Sequence, residues 1–130
     1  MTPTASNSGL LLFAHGARDP NWARPFEAVA AQVRAARPGT PICLAFLEFM
    51  SPGLVEGGTQ LVAQGCQRVE VVPLFLGAGG HVRKDLPLLL QTLRAAHPDV
   101  HFGLHPAVGE LDAVVNAMAA AALATLKARP

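Results

Sequence analysis

The sequence predicts one α/β domain: a four-stranded parallel sheet with helices on both faces, in the manner of a flavodoxin-like three-layer fold. Short apolar runs bounded by glycine, proline or charged residues are typical of strands. The longer stretches between them repeat apolar residues at three- and four-residue steps, which indicates helices. Strand and helix alternate four times, and this order favours a parallel sheet with right-handed crossovers. A chain of 130 residues has room for one such core.

Four apolar runs give the predicted strands, at residues 10–14, 42–49, 69–76 and 100–104. The first run, LLLFA, is apolar at every position rather than at alternate positions. That pattern is typical of a strand covered on both faces.

The first two predicted helices are recognised by the spacing of their apolar residues. The first ends near Pro38-Gly39, and its apolar face consists of Trp22, Phe26, Val29 and Val33. The second covers about residues 53–64 and is capped by Gly65, with a buried side of Leu54, Leu61 and Val62.

The last two predicted helices follow the same logic. The third ends before His97-Pro98 and carries Leu86, Leu89, Leu90 and Leu93. The fourth is rich in alanine, a strong helix former, and carries Leu111, Val114, Val115, Met118 and Leu123. The domain is therefore predicted to cover residues 9–126, with residues 1–8 and 127–130 as flexible termini.

Composition excludes several classes of function. Apolar residues make up 51% and charged residues 15% of the chain, which excludes a disordered arm. The formal charge of +1 and an aromatic content of 5% are not those of a nucleic-acid binder. No run approaches the roughly 18 apolar residues that cross a bilayer, so we expect no membrane partner. Cys43 and Cys66 lie in or beside apolar runs and are predicted to be core thiols of a cytoplasmic protein.

Candidate catalytic or ligand-binding residues lie at or after the ends of three of the predicted strands. His15 ends the first strand and is followed by Gly16, Glu48 lies near the end of the second, and Gly77–His81 follow the third. Each signal has an ordinary alternative: a hydrogen-bonded structural histidine, an outward-pointing carboxylate and a tight connection. Because neighbouring parallel strands lie about 4.8 Å apart, the three side chains can converge at one edge. Two imidazoles and a carboxylate suit a first-row divalent cation.

Other motifs in the sequence give weaker functional information. The glycine-rich loop lacks the GxGxxG pattern of dinucleotide binding and the GKS or GKT of a phosphate loop. A second group of histidines, His97, His101 and His105, is predicted to be structural or solvated. Trp22 and Phe26 are predicted to be core residues rather than a stacking pair for a cofactor.

Three motifs together resemble a known family. HGARDP, FLE and PLFLGAGGHVRKDLP resemble the short, single-domain sirohydrochlorin chelatases of the class II chelatase group, over about residues 9–125. The resemblance implies insertion of a divalent metal into sirohydrochlorin without ATP or another organic cofactor. Co²⁺ is favoured and leads toward cobalamin, Fe²⁺ leads to siroheme, and Ni²⁺ occurs in some archaeal relatives. It also implies half of a two-lobed chelatase, so that two copies would pair.

The resemblance assigns roles to individual residues. His15 matches the proton acceptor and a metal ligand, His81 the second ligand, and Glu48 an acidic residue that contacts substrate or metal. The loop that would line the substrate consists of Leu76, Gly77, Ala78, Gly79, Gly80 and His81. One position departs from the family, because Ala17 stands where the family usually has serine, and a hydroxyl group is lost there.

Basic residues flank both histidine motifs. The substrate that the resemblance implies carries carboxylates, and Arg18, Arg83 and Lys84 are candidates to contact them, although exposed charges at helix starts explain these residues equally well. Three other functions stay open from the sequence. They are a metal or tetrapyrrole carrier without turnover, a flavodoxin-like phosphate or nucleotide module, and a purely structural subunit.

Overall fold

A computed structural model describes residues 7–77 and 79–126, and for residues 80 and 81 it describes the backbone alone. The strands are β1 (Ser8–Ala14), β2 (Ile42–Phe46), β3 (Arg68–Pro73) and β4 (His101–Leu104). The α-helices are α1 (Arg24–Ala36), α2 (Leu54–Ala63), α3 (Gly80–Ala96) and α4 (Asp112–Leu123). Two short 3-10 helices, Pro20–Ala23 and Val108–Glu110, precede α1 and α4.

The predicted parallel sheet is confirmed. Its strand order is β2-β1-β3-β4, and every neighbouring pair is parallel. β1 lies between β2 and β3, with Leu12 in register with Leu44 on one side and Val72 on the other. Right-handed crossovers in this order put α1 on one face and α2 and α3 on the other. The apolar character of β1 therefore has the expected cause, a strand covered on both faces.

Two hydrophobic clusters hold these layers together. The larger lies between the sheet and the pair α2 and α3, and its fully buried members include Leu11, Phe13, Leu61, Val69, Val71, Leu90, Leu93 and Phe102. The smaller lies on the side of α1, where Ala14, Ala23 and Phe46 are buried. Cys43 and Cys66 are buried free thiols, as predicted, and burial raises the pKa of each.

Strands β2 and β3 end three residues before the sequence predicts. β2 stops at Phe46, whose backbone N–H donates to Pro52 O at 2.9 Å, and Phe49 takes a positive φ of 67° that no strand can contain. β3 stops at Pro73. Residues 47–49 and 74–76 are therefore loops, and both loops lie at the carboxyl edge of the sheet.

The amino-terminal boundary also differs from the prediction. Ser8 belongs to β1, and the carbonyl oxygen of Asn7 accepts hydrogen bonds from Gln67 and Arg68 at 2.8 and 3.1 Å. Residues 7 and 8 are thus part of the sheet rather than a flexible end. Residues 1–6 and 127–130, also predicted to be flexible, lie outside the described residues.

Two helices bury little of their apolar surface. In α1 only Ala30 is buried, and Val29 of the predicted apolar face is exposed. In α4, where the sequence predicts a helix, no residue is buried. The reason is topological, because α4 follows the edge strand β4, and among the described elements it packs chiefly on the short helix Val108–Glu110. Within residues 7–77 and 79–126, no helix is long and apolar enough to cross a bilayer.

Candidate functional site

His15 lies at the centre of the carboxyl edge of the sheet because it directly follows the central strand β1. The N–H of Glu48 donates to the carbonyl oxygen of His15 at 3.1 Å, which ties the loop after β2 to one side. On the other side, the N–H of Leu74 donates to Phe13 O at 2.7 Å. The loops that carry Glu48 and Gly77–His81 therefore lie on either side of His15 and are separated from each other by β1.

The turn after His15 requires glycine. Gly16 has a φ of +91°, and a Cβ at this position would overlap the carbonyl oxygen of Glu48. Only glycine meets both demands without strain. The chain then enters the short helix Pro20–Ala23, which Asp19 caps by accepting a hydrogen bond from Asn21 N at 2.9 Å.

The imidazole ring of His15 packs against the hydrophobic core. The imidazole is half-buried and packs against Phe75, with 5.2 Å between ring centroids and 55° between ring planes. Phe75 is itself buried and meets Phe13 edge-on at 5.7 Å. The position of the imidazole is thus coupled to the core through one aromatic contact.

A cavity of about 250 Å³ opens beside His15. Its lining residues are His15, Trp22, Phe26, Leu74, Phe75, Leu76 and Gly77. The walls are largely apolar, and the imidazole provides the titratable group. Sequence reasoning missed the contribution of Trp22 and Phe26, which it took as core residues, because their spacing fits a buried helix face equally well.

Two glycines of the loop after β3, Gly77 and Gly79, are not required by the fold. A Cβ at Gly77 or Gly79 would meet no atom within 4 Å, and neither residue has a positive φ. Gly79 is the N-cap residue of α3, in extended conformation. Ala78 and the side chain of His81 lie outside the described part of the chain, although the backbone of residue 81 is in the first turn of α3.

Gly109 is a further residue that the sequence did not reveal. Its N–H donates to Phe75 O at 2.9 Å, and a Cβ there would overlap the backbone of Leu76. The short helix Val108–Glu110 therefore presses directly on the loop that lines the cavity. A lone glycine far along the chain carries no sequence signal for such a long-range contact.

Glu48 is exposed rather than embedded among apolar side chains. The lining residues of the cavity beside His15 do not include it. Among the side chains that the structure describes, no three of histidine, cysteine, aspartate and glutamate lie close enough to hold a metal ion. A site formed by His15, Glu48 and His81 therefore stays a prediction, since the His81 side chain is not among those described.

The predicted basic residues are exposed at the same edge. The guanidinium of Arg18 lies 5.0 Å from the ring centroid of Phe49, a cation–π contact next to Glu48. Arg83 lines a second, mostly apolar cavity of about 270 Å³ between α3 and the end of β4. Lys84, the next residue, is exposed. Phe49 and Leu76 are large apolar side chains that are also exposed at this edge.

Two histidines of the second group, His97 and His105, are within hydrogen-bond distance of other side chains. Nε2 of His105 is 2.9 Å from Oε1 of Glu70, and this hydrogen bond, with the nearby Arg68, lowers the pKa of the Glu70 carboxyl group. Nε2 of His97 is 3.2 Å from the hydroxyl oxygen of Thr59. These contacts agree with the predicted structural role of both residues.

The sequence matches a protein-family model and known relatives. A family model described as CbiX matches residues 9–124. The sirohydrochlorin cobaltochelatase of Saccharolobus solfataricus is 35% identical over 82 residues, which cover 63% of this chain and 62% of that protein. The chain thus aligns with less than two thirds of the length of this relative.

Solved structures extend the comparison to the fold. A CbiX protein from Marinobacter aquaeolei VT8, named for cobalamin (vitamin B12) biosynthesis, has a TM-score of 0.81 and 30% identity, covering 91% of this chain and 96% of that one. SirB from Bacillus subtilis with Fe³⁺ has a TM-score of 0.76 and 25% identity, covering 87% of this chain but 45% of SirB. The fold found here is therefore shared with CbiX and SirB proteins.

Proposed function

Since this chain belongs to the CbiX family, we propose that it inserts a divalent metal into sirohydrochlorin without ATP, with Co²⁺ as the favoured metal and Fe²⁺ as the second. The names of its relatives support the reaction: one is a sirohydrochlorin cobaltochelatase, and SirB was solved with Fe³⁺. The two free, buried cysteines are consistent with a reducing compartment, and we propose the cytoplasm.

One observation about the site supports this function above the others. The central strand β1 carries His15 to the middle of the carboxyl edge, beside an apolar cavity and between the loops of Glu48 and Gly77–His81. Ligands of open parallel sheets bind at this edge. A largely apolar wall with one imidazole suits a flat, conjugated ligand from which a proton must be removed.

Metal insertion replaces two pyrrole N–H protons by one M²⁺ ion, so the site must bind the metal substrate and accept protons. His15 and His81 are the proposed metal-binding pair, because the loops that carry them follow the neighbouring strands β1 and β3. His15 is also the proposed acceptor of one pyrrole proton, since histidine is the usual general base near neutral pH. A metal-bound imidazole nitrogen has no free lone pair, so His15 would accept this proton only after it has released the metal to the macrocycle, and the second proton would go to Glu48. The exposed Glu48, on the other side of His15, is better suited to receive a proton from solvent-facing substrate than to bind metal with His81.

The remaining predicted residues would bind the macrocycle itself. Its carboxylates are proposed to pair with Arg18 and Arg83, which are exposed at the same edge. Leu76 is exposed on the loop after β3 and would cover part of an apolar face. Gly77 and Gly79 would leave room for the edge of the macrocycle against the main chain, with Ala78, Gly80 and His81 completing the loop.

The test of this function is an insertion assay with purified protein, metal-free sirohydrochlorin and Co²⁺, Fe²⁺ or Ni²⁺, without ATP. The absorbance of the macrocycle measures its conversion. We expect many turnovers per protein molecule, and no turnover after chelation of the free metal with EDTA. Product formed only up to one equivalent of protein would support a carrier and contradict the proposal. Fastest turnover with Ni²⁺ would contradict the preference for Co²⁺.

Alanine at Gly77 or Gly79 is expected to lower insertion activity without lowering stability. The free protein has open space at both positions, so a methyl group costs the fold little, but it would occupy room that the substrate needs. We expect at least a roughly tenfold loss of kcat/KM, which is about 1.4 kcal/mol of binding. Gly39→Ala is the matched control, because Gly39 also has open space but lies at the opposite edge. Full activity of both loop variants would show that the substrate stays clear of this main chain.

We also propose that two copies of this chain assemble through α4. The helix is apolar and alanine-rich, yet none of its residues is buried, and Leu111, Val115 and Met118 are all exposed. Because the chain covers 45% of SirB, a second copy would supply the portion that SirB carries in one chain. Burial of α4 against the second copy would remove this apolar surface from water.

Charge placed on α4 is expected to separate the two copies. Val115→Glu combined with Met118→Glu should give a monomer by sedimentation at concentrations where the unchanged protein is a dimer. The matched control is Ala28→Glu combined with Ala31→Glu on the exposed part of α1, which adds the same two charges at the same spacing on another helix. An unchanged protein that sediments as a monomer at all concentrations would contradict this assembly.

A further inference from the structure

Trp22 and Phe26 form an aromatic pair that the metal-binding role of the site does not use. Their ring centroids are 4.6 Å apart and their planes are inclined by 31°. Both rings are half-buried and pack on the small cluster of Ala14, Ala23 and Phe46. These two rings also line the cavity beside His15.

The size and chemistry of that cavity indicate what it binds. At about 250 Å³ it is smaller than the roughly 300–1,000 Å³ of sites that enclose a whole drug-sized ligand, so it accommodates part of a larger one. Its walls are aromatic rings and leucine side chains, and His15 is its titratable group. Aromatic walls of this kind favour a flat π system over a flexible or charged group.

We propose that Trp22 is a positioning residue: its indole ring packs against one pyrrole-type ring of the tetrapyrrole and thereby directs the centre of the macrocycle toward His15. This inference rests on the proposed function. Phe26 supports the indole from the side of α1, and Leu76 covers the opposite wall of the cavity. The short helix Pro20–Ala23, capped by Asp19, fixes the backbone of Trp22 relative to the His15 turn.

Binding of metal-free sirohydrochlorin to the whole protein, measured by its absorbance without any metal, tests the proposal separately from catalysis. Trp22→Ala is expected to weaken binding about tenfold, because an aromatic stack is lost. Trp22→Phe should bind within about threefold of the unchanged protein, since a flat ring remains. In the insertion assay, Trp22→Ala should raise KM about tenfold.

Phe46→Leu is the control for a merely structural effect. Phe46 belongs to the same cluster but is not among the lining residues of this cavity. This variant should lower the thermal stability while keeping the affinity for the macrocycle. Because Trp22 is the only tryptophan of the chain, its fluorescence also reports directly whether the surroundings of the indole change on binding.

Each outcome has a distinct meaning. If the unchanged protein fails to bind sirohydrochlorin, the proposed function is wrong and this inference falls with it. If the unchanged protein binds and Trp22→Ala binds equally well, the function stands and the positioning role is wrong. A loss of affinity in Phe46→Leu equal to that in Trp22→Ala would also overturn the positioning role, because the effect would then follow from the fold alone.

Discussion

Replacing His15 by alanine is expected to lower the rate of metal insertion by about 100-fold or more, the usual contribution of a positioned general base. The proposed site loses both a metal-binding nitrogen and the proton acceptor at the centre of the sheet edge. The fold should survive, because the ring contact of this half-buried imidazole is with Phe75, and such aromatic contacts contribute about 1 kcal/mol. His81→Ala should cause a loss of similar size if both histidines bind the metal.

Steady-state insertion of Co²⁺ into sirohydrochlorin measures these losses, and thermal unfolding checks the fold. His101→Ala is the control, since it also removes an imidazole but lies at the start of β4, at the opposite edge of the sheet. Its activity should equal that of the unchanged protein. Near-normal turnover of His15→Ala would contradict the assignment of His15, whatever the result for His81.

Gly16→Ala is expected to lower the stability of the protein strongly. Alanine must adopt a φ of +91° and at the same time displace the carbonyl oxygen of Glu48. Strain and overpacking together should lower the free energy of unfolding by at least about 2 kcal/mol. For a domain of this length, that corresponds to a fall in Tm of roughly 6 °C or more. Activity should also fall, because the loops of His15 and Glu48 must move apart.

Two other glycines separate the causes of this effect. Gly65 has a φ of +97° but open space around a Cβ, so Gly65→Ala should cost only about 1 kcal/mol from backbone strain. Gly39 has open space and no positive φ, so Gly39→Ala should leave the stability nearly unchanged. Equal losses of Tm in Gly16→Ala and Gly65→Ala would mean that the loops after β1 and β2 do not meet as described.

The site was only partly predictable from the sequence. Signals that depend on near neighbours were readable: His15 ends an apolar strand, Asp19 precedes a proline-led helix, and Gly65 ends α2. Glu48 was placed in a strand because its neighbours are apolar, but Phe49 takes a positive φ and the strand stops at Phe46. Hydrophobic periodicity records which residues are apolar, not where a chain leaves the sheet.

Contacts between distant residues were the part that no local pattern could reveal. Gly109 contacts Leu76 from more than thirty residues further along the chain, and Trp22 lines the same cavity as the loop after β3. The apolar residues of α4 predicted the helix but not that none of them is buried. Apolar composition alone does not distinguish a helix that packs on its own sheet from one whose apolar surface stays exposed.

The order of apolar runs and helical stretches was enough to determine the α/β class and to put His15, Glu48 and Gly77–His81 at strand ends, since both depend on local backbone preferences and on the period of side-chain burial. Only the tertiary structure decided that β1 is central, that Glu48 and the glycine loop lie on opposite sides of His15, and that an aromatic pair shares its cavity. The physical reason is that strand order and cavity walls arise from packing between segments far apart in the chain.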